Sequence, residues 1–266
     1  NEPLVEITQV KGTSETHPTL SSTDEWADFE IWKKSSFVIT MDGNLTRSEG
    51  ATSGAYARDA LRTGLELEQS IGNNPYQFGF IGSTDGHNAA SPIEEDQYFA
   101  KLGVSDGSPE ARGSVPAKNP KQPVNPALVD FSASGLAGVW AEENTRASIF
   151  AALRRKETFA TTGPRIKLRF FAGYNYSNAL IETHDAIAEA YADGVPMGGD
   201  LAAMGDTVPQ FLIWALRDPR ESWLQRAQIV KGWLEGGESH ERVFDVACSD
   251  GLTPDPDTHR CPDNGA

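Results

Sequence analysis

Residues 76–88 read Tyr-Gln-Phe-Gly-Phe-Ile-Gly-Ser-Thr-Asp-Gly-His-Asn. The first six, YQFGFI, are a short apolar run of the kind a buried strand in an α/β core presents. Gly82 ends the run, and Asp85 and His87 follow just past the expected C-terminal end of the strand. Open sheets and barrels both gather their active groups at that end. A carboxylate and an imidazole two residues apart can address one cation, and zinc, manganese and iron all accept that donor pair. Gly82 and Gly86 permit tight backbone beside the donors, and Thr84 and Asn88 can orient them. A plainer reading of the same residues has Asp85 capping a turn and His87 bonded to the backbone.

Upstream, residues 54–71 form the clearest predicted helix. Ala57, Leu61 and Leu65 recur every four residues, and Gly72, Asn73, Asn74 and Pro75 stop the pattern. Residues 4–10 read as a further buried strand, with Lys11-Gly12-Thr13-Ser14-Glu15-Thr16-His17 at its exit. Lys11 there can stabilise an oxyanion, and Glu15 and His17 can reach the rim that holds Asp85 and His87. A solvated strand-to-helix loop explains these residues equally simply. Ser22 and Glu25 have capping-box spacing, so a short helix is expected through Glu30 and Lys34. Residues 41–53 read as loop. A strand so near the first residue also creates the expectation of further sequence upstream.

Downstream, residues 103–126 carry Gly, Pro and Ser without a period and read as a long surface excursion. Residues 134–140 end in a strand-like GVWA, and Asn144 can cap the helix that follows. From about residue 164 the pattern turns to short strands, at 165–171, 211–216, 227–233 and 243–247. Residues 184–191 are open between helix and strand. This gives an α/β part over 1–163 and a small β-sandwich-like part over 164–266. Phe78, Phe80, Trp140 and Phe171 are the expected core aromatics. Of the basic side chains Arg146, Arg154, Arg155 and Arg165, one can face a substrate, although surface ion pairs account for them more simply.

Cys248 and Cys261 lie in a polar tail rich in Asp, Pro and Gly, where a disulfide is the leading reading. It points to a periplasmic or secreted protein, since structural disulfides are rare in the cytosol. Lys and Arg total 23 against 38 Asp and Glu, a formal net charge of −15. That balance disfavours nucleic acid and anionic membranes as partners. No GxSxG elbow, phosphate-binding loop or GxGxxG motif is present.

The segments PLVEITQVKGTSETHP, YQFGFIGSTDGHN, GLAGVWAEENTRASIFAALRRKETFATTGPRIKLRFF, LQRAQIVKGW and VFDVACSDG resemble the DUF3604 family. GSTDGHN is in turn similar to the last metal-binding motif of the PHP (polymerase and histidinol phosphatase) superfamily, and RRKETFATTGPRI is similar to a segment of its carbaryl-hydrolase-like members. The resemblance implies that residues 1–163 are the C-terminal part of a distorted β/α barrel. It implies divalent zinc, manganese or iron held by Asp85 and His87, with Asp85 also steering a metal-activated water and Lys11 helping to stabilise the developing oxyanion. It implies hydrolysis of a phosphoester or related small-molecule ester. The early histidine ligands of that superfamily have no counterpart in this sequence. The expectation is therefore a site completed by a separate N-terminal half, and inactive without it. The competing expectation is a non-catalytic binding or structural fragment that works through its β-rich part.

Overall fold

The computed structural model describes residues 2–31, 36–39, 45–48, 52–89, 101, 107–108 and 135–262. The first strand, β1 (Leu4–Gln9), turns back at once into β2 (Gly12–Thr13), and β3 (Ser36–Ile39) pairs antiparallel with β4 (Leu45–Ser48). Helix α1 (Ala57–Ile71) then leads to β5 (Gly79–Gly82), which lies parallel to β1, with Leu4 opposite Gly79. These elements make a β-α-β unit, the connection that a parallel pair requires.

Helix α1 ends as its sequence directs. Gly72 adopts φ +72° and donates its N–H to the Glu68 carbonyl. Its start is set by tertiary contacts instead. Tyr56 offers no side-chain cap, and the N–H groups of Ala57 and Arg58 donate to the carbonyls of Ser14 and Glu15, at 2.9 and 3.0 Å. The loop after β1 thereby satisfies the helix donors that would otherwise be unpaired.

Beyond the undescribed stretch, β6 (Leu136–Val139) pairs antiparallel with β7 (Thr158–Thr161) across α2 (Arg146–Arg154). Thr145, one residue later than expected, caps α2 by accepting the Ser148 N–H. The β6–β7 pair sits against β5, where the Thr158 hydroxyl donates to the Phe80 carbonyl at 2.9 Å. Then β8 (Lys167–Gly173), α3 (Ala186–Ala192), β9 (Gly194–Pro196) and β10 (Gln210–Leu216) form an antiparallel sheet in the order β10-β8-β9. Its core gathers Phe171, Tyr176, Leu180, Ala186, Ala190 and Leu212, and the Tyr176 hydroxyl reaches the Ala190 carbonyl at 2.9 Å. The last elements, β11 (Arg226–Glu235) and β12 (Glu238–Cys248), form a hairpin that turns on Gly236 and Gly237.

The barrel expectation is overturned. The described strands fall into two three-stranded and three two-stranded sheets, and none of them closes. Among them β1–β5 is the one parallel pairing, and every other ladder among the described residues is antiparallel, whereas a β/α barrel needs a continuous parallel ladder. A β-sandwich does not form either. The β11–β12 hairpin packs on α1 and faces β10 across an open cavity of about 670 Å³. The helix expected after Ser22 is a run of turns, with i to i−3 bonds at Asp24, Ala27 and Phe29. Asp24 accepts the Trp26 N–H and closes a local turn that competes with helix. Lys34 and nearly all of 103–126 lie outside the described residues, and the loop expected over 41–53 contains β4. Of residues 184–191, those from Ala186 onward resolve as helix, in α3. Phe171 is fully buried, while Phe78, Phe80 and Trp140 are half-buried. Among the described residues no helix is long and apolar enough to cross a membrane.

Cys248 and Cys261 form a disulfide that closes the tail loop onto β12. Asp245, buried beneath it, accepts the Cys261 N–H at 2.6 Å and pairs with Arg226 at 3.0 Å. Within that loop His259 accepts the Asp245 N–H through its carbonyl, which covers the outer edge of β12.

Candidate functional site

The parallel pair β1–β5 delivers its two exits to one place. Past the strands, Ser83 N–H donates to the Thr8 carbonyl at 3.1 Å and Val10 N–H to the Thr84 carbonyl at 3.2 Å. Gly82 and Gly135 allow this closeness. A Cβ on Gly82 would lie 2.8 Å from the Leu136 carbonyl oxygen, and one on Gly135 would lie 1.9 Å from that of Ser83. The chain then lifts Asp85 into a left-handed conformation, φ +50°, which Asp tolerates better than most residues. The expected tight turn is thus made by Asp85 itself.

Asp85 sits between two cationic or potentially cationic groups. One carboxylate oxygen is 3.0 Å from His87 Nε2, and the other is 2.5 Å from Lys101 Nζ. The Lys101 carbonyl accepts the His87 N–H at 2.7 Å, so the same residue positions both members of the pair. Burial alone would raise the Asp85 pKa, but the hydrogen bonds from Lys101 and His87 outweigh it and hold the carboxyl below its usual value. His87 keeps 54% of its side chain exposed, so the pair opens to solvent.

Lys11 stands on the adjacent β1 exit and donates to Ser14 Oγ at 2.9 Å. Burial lowers its pKa first, and the like charge of Lys101 adds to this against the opposing pull of Glu6 and Asp85. Glu6 joins the two strands: it accepts from Ser83 Oγ through one oxygen and from Gln9 Nε2, at 3.2 Å, through the other. A cavity of about 500 Å³ runs from Glu6 and Ser14 toward Tyr56, Tyr76 and Phe78.

Of the residues singled out in the sequence, Lys11, Asp85 and His87 therefore share one rim. Glu15 turns elsewhere. Its carboxylate takes the Arg58 guanidinium at 2.5 Å, in a cluster that also holds Asp24 at 2.6 Å and Glu241 at 3.7 Å. His17 bonds to Thr19 at 2.8 Å and packs beside Tyr56. Arg155 is engaged by Glu157 at 2.8 Å. Among the described residues there is no group of three or more His, Cys, Asp and Glu side chains that could hold a metal ion. Asp85 and His87 supply two donors, and Lys101 occupies one oxygen of the first.

The family model described as a protein of unknown function, DUF3604, matches residues 1–266. The chain belongs to the DUF3604 family. No curated relative and no solved structure matches it. In this DUF3604 chain the side chains that the motif reading missed are Glu6, Ser83, Lys101 and Arg58. Glu6 carried a signal, a lone carboxylate inside the apolar stretch LVEIT. Lys101 carried none, since it reaches Asp85 from sixteen residues away.

Proposed function

We propose that this DUF3604 chain forms one wall of a metal-dependent hydrolytic site for phosphoesters or related esters, of the PHP kind that its GSTDGHN segment resembles. One observation carries the reading: Asp85 and His87 meet at 3.0 Å where two parallel strands end together, with Lys11 and Lys101 beside them. Parallel strand ends are where α/β proteins build reactive sites.

Asp85 and His87 would hold a divalent ion, zinc, manganese or iron, and such an ion lowers the pKa of a bound water toward neutrality. The donor types fit, but a catalytic zinc takes three protein ligands. The reading therefore requires further donors from beyond the described residues, the N-terminal half of the protein being the proposed source. The groups on this chain have separable tasks. Lys11 binds an anionic substrate oxygen with its ammonium group. Lys101 fixes the Asp85 carboxylate and must move off one oxygen before a cation takes its place. His87, half exposed, must likewise release Nε2 from the Asp85 carboxylate before that nitrogen takes a cation. The Cys248–Cys261 disulfide is compatible with a periplasmic or extracellular setting, which we adopt as part of the proposal.

Native mass spectrometry with metal analysis tests this reading. Uptake of zinc, manganese or iron that is lost in Asp85→Asn and His87→Ala supports it. Substrate screening would then begin with phosphomonoesters and activated esters. A 28.8 kDa species that takes up none of these ions, alone or with the N-terminal half, overturns it in favour of a binding module.

A further inference from the structure

We propose that Glu6 is the positioning residue of this rim: it holds Asp85 from two sides, through Ser83 and through Gln9 with Lys101. The inference rests on the hydrolytic reading for its purpose and on hydrogen bonds for its geometry. Glu6 lies half-buried in β1 between Val5 and Ile7, a place that strands of a parallel sheet usually fill with an apolar side chain. Five residues there close a ring. Ser83 Oγ donates to one Glu6 oxygen, and the Asp85 N–H donates to Ser83 Oγ at 3.3 Å. Gln9 Nε2 donates to the other Glu6 oxygen at 3.2 Å, and Lys101 Nζ donates to Gln9 Oε1 at 3.4 Å. The same ammonium reaches Asp85 Oδ2 at 2.5 Å and completes the circuit.

The sense of each bond in the ring follows from Glu6. A carboxylate only accepts, so Ser83 points its proton at Glu6 and turns its lone pairs to the Asp85 N–H. By the same rule Gln9 presents its NH2 to Glu6, which leaves its carbonyl oxygen for Lys101. One arm thus ends on the backbone of Asp85 and the other on its carboxylate. Stapling β1 to β5 needs only the Ser83 bond, whereas the arm through Gln9 and Lys101 returns to Asp85, which a staple does not require. That arm also leaves Lys101 a partner, Gln9 Oε1, when a cation takes its oxygen on Asp85. Glu6 acts on the neighbouring ammonium as well. Burial lowers the Lys11 pKa most, and among the nearby charges Glu6 has the largest effect, opposing that fall, ahead of Lys101 and Asp85.

Amide hydrogen exchange and lysine side-chain NMR on the whole chain, without added metal, test the proposal. Glu6→Ala removes both arms, and the Asp85 amide should exchange about tenfold faster while amides of β8 and β10 keep their rates. Ser83→Ala should do the same to Asp85, and the double variant no more than either, because both cut one route. Glu6→Gln keeps the side chain's shape and removes its charge. Lys11 should titrate at a lower pH in this variant than in the wild type, a midpoint that loss of a strand staple does not move. On any preparation that takes up zinc, Glu6→Gln should bind it about tenfold or more weakly, the usual scale for a group that orients a ligand. An Asp85 amide indifferent to Glu6→Ala, additive losses in the double variant, an unmoved Lys11 midpoint or unchanged zinc affinity would each overturn the inference. The exchange and titration readouts need no metal, so they decide it even where a wild type that binds none has overturned the hydrolytic reading.

Discussion

Replacing Arg58 with Met removes the centre of a largely buried charge cluster. The Arg58 side chain is 15% exposed and that of Asp24 is 2% exposed, and they meet at 2.6 Å. Removing one partner of a buried pair typically costs about 3–5 kcal/mol, because the remaining charge is left desolvated and uncompensated. Asp24 would retain the Trp26 N–H at 3.0 Å, and Glu241 would retain the Ser21 hydroxyl at 2.6 Å. These remaining bonds place the cost at the low end, about 3 kcal/mol. The half-exposed Glu15 adds under about 1 kcal/mol. For a chain of this size the loss corresponds to a fall in Tm of roughly 6–12 °C. Urea denaturation and calorimetry would measure both quantities. Adding Asp24→Asn should recover a good part of the loss by removing the stranded charge. A destabilisation below about 1 kcal/mol, or no recovery in the double variant, would refute the reasoning.

Three other perturbations have definite expectations. Replacing Cys248 and Cys261 with Ser opens a short loop and should lower stability by about 3 kcal/mol in urea titrations compared with the oxidised protein. Gly135→Ala combines φ +92° with a Cβ 1.9 Å from the Ser83 carbonyl oxygen and should cost about 3 kcal/mol in the same assay. Two shifted groups give pH dependences of defined sign. The carboxyl of Asp85 titrates below 3.8, so its stabilisation is complete above that pH and lost as pH falls through the folded value. The Lys11 ammonium titrates below 10.5, so compared with Lys11→Met the wild type should gain stability as pH rises from the folded value toward 10.5. Side-chain NMR titrations should place both midpoints on those sides of the ordinary values.

The local features that the sequence made legible are those with a local cause. Helix α1 follows from the spacing of Ala57, Leu61 and Leu65 and from the stop at Gly72. Only the last half of the run over 76–81 becomes strand, β5, which takes in Gly82, and Asp85 and His87 emerge just past its end. What was not legible depends on partners far along the chain. Whether β8 and β10 face the β11–β12 hairpin or leave it to α1 is a question of which apolar surfaces meet, and alternation within each strand is silent on it. The same holds at the rim. Nothing adjacent to Lys101 marks it as the partner of Asp85, and nothing near Glu15 shows that Arg58 will draw it away. The turns over residues 18–30 illustrate a third limit. Ser22 and Glu25 match a capping box, yet Asp24 bonds the Trp26 backbone and Arg58 instead.

The seating of the β11–β12 hairpin on α1 has a consequence for synthesis. The bond from Ser21 to Glu241 spans 220 residues of chain. At about 5–20 residues per second, the ribosome needs roughly ten to forty seconds between making the first partner and the second. Once α1 has been made, within that interval, the face that the hairpin will cover, with Arg58 and Arg62 on it, stays open to solvent. The Arg58 cluster therefore lacks Glu241 until β12 has been made, and during synthesis the guanidinium is held by Asp24 and Glu15 alone.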